Sequence, residues 1–182
     1  MIFGLDPGLA NVGWAILNRI GSLIACGHIE TKKSGRTGDA AARLALVMYD
    51  LSEPLRAVEP HALDLTVVIE WPGGAGGFQR AGANPNARAT IQTSTTAGAV
   101  YGAAYWLLRG RTDRILTPSP VTWRAALARA WGTERDEASV HAGIVGRHHS
   151  LPNLKKKSVP HVMDAIGLAE YGALKPRTQR GT

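Results

Sequence analysis

Two short apolar runs in this sequence each close on an acid. IFGLD (2–6) ends at Asp6, and LTVVIE (65–70) ends at Glu70. Short runs of this composition read as buried strands. A carboxylate at the end of such a strand is either buried at a cost or held there for a purpose. If the two strands are adjacent and parallel, the acids meet at the carboxyl edge of a sheet. That edge is where α/β folds place their ligands.

The rest of the chain fits an α/β reading. VGWAILN (12–18) and SLIACGHIE (22–30) read as two further strands joined by a tight turn near Gly21. Asp39 is placed to cap a helix running to Val58, with Leu44, Val47, Leu51 and Leu55 at helical spacing. Pro54 lies inside that pattern and is expected to kink or shorten it. A glycine-rich loop covers 71–86, longer than compact domains tolerate without a function. A helix rich in Ala, Thr and Gly follows over 86–108, then a fifth strand, RILTP (114–118). Helices are expected over 119–131, with Pro120 in the first turn, over 133–149 and over 159–175. With no repeat and no linker, one domain over 1–175 is expected, followed by a basic, disordered tail at 176–182.

Composition narrows the function. With 182 residues and 45% hydrophobic content the chain can build a proper core. No apolar run approaches the length of a membrane span. No leader is expected before the first strand, and the single cysteine, Cys26, excludes an internal disulfide; both suit a cytoplasmic setting. A net charge of +7 and a pI near 10.0 point to a polyanion, most often nucleic acid. Much of the excess lies in RGRTDR (109–114), LKKKS (154–158) and KPRTQR (175–180). Lys155, Lys156 and Lys157 are thus candidates for the phosphate backbone of DNA, or else a solvated charge run.

The last helix carries His161 and Asp164, three residues apart and on the same face as Leu168. An acid and an imidazole on a core-facing stripe point inward. Together with Asp6 and Glu70 they would repel one another unless a cation neutralised them, and carboxylate oxygens suit Mg²⁺ or Mn²⁺. Taken singly, each has a plain structural reading. Asp6 can cap the Pro7–Gly8 turn, and Glu70 can be an exposed strand end. Asp164 can pair with a lysine, and His161 can sit idle at a helix start.

Three motifs in order, GLDPGLANVGWAIL, VVIEWPGG and HVMDAIGLAEYGA, resemble the RuvC family of Holliday junction resolvases over most of the chain. TPSPVTWRAALA also looks like the shorter resolvases of bacteriophages and their relatives. The resemblance implies a ribonuclease H-like fold: a five-stranded mixed sheet flanked by helices. It implies that Asp6, Glu70, His161 and Asp164 bind two Mg²⁺ or Mn²⁺ ions, about 4 Å apart, astride the scissile phosphate. The products would carry a 5′ phosphate and a 3′ hydroxyl. Many family members have aspartate where this chain has His161, and imidazole shifts the preference toward Mn²⁺. Histidine as a general base is the second role.

In the same way, the glycine-rich loop would enter the junction with Phe78 as an aromatic wedge, or Trp71 in its place, and Arg80 and Arg88 on phosphates. The helix at 86–108 would form a homodimer interface through its small residues Gly98 and Gly102 and its tyrosines Tyr101 and Tyr105. Two symmetric nicks need two sites, which a C2 dimer supplies. The expected activity is thus paired nicking of four-way DNA junctions. Broader cleavage of branched DNA and junction binding without cleavage are the alternatives. DPGLANVG also resembles the first phosphate loop of sugar kinases and actin-like ATPases. The short chain and the late HxxD pair argue against that reading, and no nucleotide cofactor is expected.

Overall fold

A computed structural model describes residues 1–8, 10–31, 39–58, 65–71, 98, 99, 102, 112–149 and 151–175. Five strands form one sheet: β1 (Ile2–Asp6), β2 (Asn11–Leu17), β3 (Leu23–Glu30), β4 (Leu65–Ile69) and β5 (Thr112–Leu116). Their order is β3-β2-β1-β4-β5. β1, β2 and β3 form an antiparallel meander, whereas β4 and β5 run parallel to β1. The expected mixed sheet of five strands is the one found. The β2–β3 turn needs Gly21, whose φ of 82° lies in the left-handed region. The Asn18 side chain closes that turn by accepting from the amides of Ile20 and Ser22.

Alternation along the strands divides the core in two. Phe3, Leu5, Val12, Ile16, Val67 and Ile69 face one way and pack with Val47, Leu51, Leu55 and Val58 of α1 (Asp39–Val58). Helix α1 runs continuously through Pro54. Ile2, Ala15, Leu17 and Val68 face the other way, under three helices: α2 (Pro120–Trp131), α3 (Glu137–Arg147) and α4 (Val159–Leu174). Helix α3 is shorter than the expected 133–149 because Gly132 ends α2 at φ 68° and Asp136 then caps α3 through the Ser139 amide. Strand β5 begins and ends two residues earlier than expected.

Helix α4 lies almost on the sheet. A Cβ at Gly4 would collide with the Ala165 carbonyl oxygen, and one at Gly13 with the His161 carbonyl oxygen. Only glycine at these two strand positions lets the helix backbone come so close. That contact sets the height of His161 and Asp164 above the end of β1. Among the described residues, no helix is long and apolar enough to cross a membrane.

Candidate active site

Asp6 closes β1 on the α4 face, since Ile2 and Gly4 precede it at the strand period of two. Parallel pairing aligns Leu5 with Ile69, so Glu70 stands next to Asp6 at the same edge. The Glu70 amide donates to the Leu5 carbonyl at 3.0 Å, which fixes that end of the chain. Helix α4 adds His161 and Asp164 from above. The structure thus brings together the four residues singled out in the sequence.

Each acid has a protein partner of its own. Asp6 Oδ2 lies 2.8 Å from His161 Nδ1. Glu70 Oε2 accepts from the indole Nε1–H of Trp123 at 2.8 Å. Asp164 is held by His141 Nε2 at 2.9 Å and by Arg124, whose Nη2 is 3.2 Å from both of its oxygens. Arg124 also reaches Glu137 at 3.2 Å. Among the described residues, no three His, Cys, Asp or Glu side chains are placed to share one ion as they lie.

The electrostatics show what the cluster costs. Burial, followed by the neighbouring Asp6 charge, pushes the Glu70 carboxyl up to about 7. Burial also raises Asp6, with the Asp164 charge adding to it and the His161 hydrogen bond opposing it. His161 is raised in turn, chiefly by its bond to Asp6. Carboxylates that disfavour ionisation for these reasons are those a cation would relieve. Three oxygen donors and one imidazole therefore fit a hard or borderline divalent ion in donor chemistry.

Sequence reasoning missed Trp123, Arg124, His141 and His28. The first two lie in TPSPVTWRAALA, a stretch whose likeness to the shorter phage resolvases did not single out either residue. His141 sits on α3 with nothing in its neighbours to mark it. His28 closes the row beyond Asp6: its ring stacks on His161 with centroids 5.8 Å apart and planes 20° apart. Burial, then the charge of His161, lowers the His28 pKa.

The remaining candidates divide. Trp71 is half-buried and tied by its amide to the Pro118 carbonyl at 3.0 Å. Lys155, Lys156 and Lys157 are exposed just before α4, and Lys157 pairs with Glu30. Gly98 and Gly102 are helical, and a Cβ on either would meet no atom within 4 Å among the described residues. Phe78, Arg80, Arg88, Tyr101, Tyr105 and the tail 176–182 lie outside the described residues.

No family model matches the chain. Proteins named crossover junction endodeoxyribonuclease RuvC do match. The one from Prochlorococcus marinus strain NATL1A is 38% identical over 64 residues, 34% of this chain and 40% of that protein. The one from Synechococcus sp. strain CC9902 is 36% identical over 62 residues, 32% of this chain and 38% of that protein. The match thus spans about two-fifths of the length of those relatives. Among solved structures, Thermus thermophilus RuvC superposes with a TM-score of 0.57 at 15% identity, over 94% of this chain and 92% of that one. The T. thermophilus RuvC in complex with Holliday junction substrate gives 0.58 at the same identity, over 94% and 91%. The resemblance to the RuvC family therefore stands, in fold over nearly the whole chain as a ribonuclease H-like domain, and in sequence over about a third of it.

Proposed function

We propose that this chain is a metal-dependent endodeoxyribonuclease that resolves four-way DNA junctions by paired, symmetric nicks. The observation that carries the reading is the meeting of Asp6, Glu70 and Asp164 at one sheet edge, with the ionised forms of Asp6 and Glu70 disfavoured by burial. A purely structural cluster of this kind is expensive, and perturbed acids in a group mark sites of chemistry. The matched T. thermophilus RuvC is a structure with Holliday junction substrate, which supports the substrate class. The net charge of +7 supports a phosphate backbone as partner.

Asp6, Glu70, Asp164 and His161 are the residues that would hold Mg²⁺ or Mn²⁺. Bound there, a pair of such ions supplies an activated water and stabilises the leaving 3′ oxygen. The protein's own share is placement. β1 and β4 set the spacing of Asp6 and Glu70, and the close seating of α4 sets Asp164 above them. Trp123 and Arg124 orient Glu70 and Asp164. Lys155 and Lys156, exposed before α4, suit the DNA backbone. The glycine-rich loop with Phe78, and a two-fold pair formed through Gly98 and Gly102, complete the proposal.

The Asp6–His161 bond favours a second role for His161. In that role a neutral His161 would donate Nδ1–H to an ionised Asp6, leaving the Nε2 lone pair to take a proton from water. As a ligand instead, His161 would use the same Nε2. The test is cleavage of labelled four-way junction, flap and linear duplex in Mg²⁺ and in Mn²⁺. Paired nicks confined to the junction, lost in Asp6→Asn, are expected. Equal nicking of flaps would make it a general branched-DNA nuclease. Tight junction binding with no nick in either metal would refute an enzyme.

A further inference from the structure

The row of residues at the level of the site has one member that the proposed chemistry leaves unused. Asp6 pairs with Gly13 across β1 and β2, and Gly13 pairs with His28 across β2 and β3. Paired residues share a face of the sheet, so all three lie in one line under α4. Gly13 contributes no side chain, and the His161 carbonyl fills the space where its Cβ would be. His161 is therefore seated in a gap between two walls. Asp6 takes its Nδ1 edge at 2.8 Å, and His28 covers its ring face at 5.8 Å between centroids. That separation and the 20° tilt fall in the range of offset-stacked rings.

His28 is fixed at both nitrogens. Nε2 lies 3.1 Å from Asn11 Oδ1, and Nδ1 lies 3.0 Å from Ser158 Oγ. An amide oxygen only accepts, so Nε2 carries the hydrogen and Nδ1 accepts from the Ser158 hydroxyl. The ring is held against rotation from two sides, by β2 and by the start of α4.

Ser158 gives up something to do this. It stands at the N-cap of α4, where serine ordinarily accepts from an amide of the first turn. Here its backbone is helical, φ −87° and ψ −22°, and it makes no side-chain cap bond. The hydroxyl, in a residue only 4% exposed, is directed at His28 instead. A buried cap hydroxyl spent on a ring from the edge strand, three residues before His161, is a poor way to stabilise a helix and a good way to orient what the helix carries.

We propose that His28 is a positioning residue: clamped by Asn11 and Ser158, it holds the His161 ring so that Nδ1 stays on Asp6 and Nε2 stays available. This rests on the reading of His161 as part of the active site.

The test compares wild type with His28→Ala, His28→Phe and Ser158→Ala at one pH, with two readouts. The first needs no activity: the Nδ1 proton of His161, followed by long-range ¹H–¹⁵N NMR in the metal-free protein. It is expected to be protected in wild type and in His28→Phe, and lost to exchange in His28→Ala. The second is the rate of junction nicking in Mn²⁺. His28→Ala is expected to slow it by about ten- to a hundredfold, with recovery to within about threefold in His28→Phe, the range seen when outer supports of a ligand are removed. Ser158→Ala should move both readouts the same way by less. If His28→Ala does not fold, Ser158→Ala decides alone. An unchanged Nδ1 proton and an unchanged rate would overturn the proposal. So would equal losses in the Ala and Phe variants, which would mean that the ring face has no part. If wild type itself makes no nick, the proposed activity fails, and the Nδ1 proton still decides the clamp.

Discussion

Replacing Glu70 by Gln should make the metal-free protein more stable while abolishing its proposed activity. Glu70 sits among Trp123, Asp6 and Asp164, and its carboxyl is raised from 4.5 to about 7 by burial and by the Asp6 charge. The sign follows from linkage. The folded state holds the proton more tightly than the unfolded chain, so stability is highest below the unfolded value and falls as pH rises from 4.5 to about 7. That rise is about 2.5 pH units, and at about 1.36 kcal/mol per unit it corresponds to about 3 kcal/mol above neutrality. Contact with solvent at the sheet edge brings the figure to about 2 kcal/mol. Gln keeps an oxygen to accept the Trp123 indole hydrogen bond and removes the charge. The Gln variant should therefore melt about 4–8 °C higher than wild type at about pH 8, as expected for a chain of this size. Near pH 4.5, where wild-type Glu70 is protonated when folded, the two should nearly coincide. Calorimetric melts in EDTA at both pH values make the comparison. Adding Mn²⁺ should then raise the wild-type melting point more than that of the variant. A variant that melts at or below wild type at the higher pH would refute the argument, because the carboxylate would then be stabilising where it stands.

Three further outcomes follow from the packing. Gly13→Ala should cost about 2–3 kcal/mol in urea melts, as overpacking does, and should slow nicking by more than that loss explains, because the His161 turn must back off the sheet. His148 and Glu170 form a pair at 2.8 Å with side chains 4% and 12% exposed, toward the other end of α4. His148→Ala should destabilise by about 3 kcal/mol, and Glu170→Gln in the same chain should recover part of it, with junction nicking unchanged per folded molecule. Burial pushes the Cys26 thiol up to about 11, so a disulfide reagent should modify the native protein slowly at neutral pH and the urea-unfolded chain at the rate of an ordinary thiol.

The sequence was most legible where local pattern and long-range pairing agree. IFGLD and LTVVIE each show an apolar run and a terminal acid, and parallel pairing brings the two acids to one edge of the sheet. The HxxD spacing needed only the helical period to place His161 and Asp164 on one side of α4. Less was legible where a residue's role depends on register between distant strands. Nothing in SLIACGHIE marks His28, because its importance comes from standing two strands from Asp6 with a glycine between. Arg124 and His141 reach Asp164 from two helices whose packing angle no local pattern encodes. Residues 133–149 read as one helix because their composition favours it, while the Gly132 and Asp136 caps delay and shorten the helix.

The partners of the acids also explain how such a site survives folding. Three carboxylates within reach of one another oppose a compact state, and burial makes that opposition stronger. Here each acid meets a donor of its own from the three helices: His161 of α4 for Asp6, Trp123 of α2 for Glu70, and His141 of α3 with Arg124 of α2 for Asp164. Those donors are part of the same packed layer as Gly167 and Ile144, where a Cβ at Gly167 would lie 2.6 Å from the Trp123 ring. The contacts that hold α2, α3 and α4 together are therefore also the contacts that make the acid cluster tolerable. It follows that the pieces should not be separable. Trp123→Phe loses the indole N–H and the outer ring carbons that meet Gly167, so it should destabilise in both backgrounds, and by more beside Glu70 than in a Glu70→Gln background if the charge is what the indole serves. Equal losses in both backgrounds would place the role of Trp123 in packing alone.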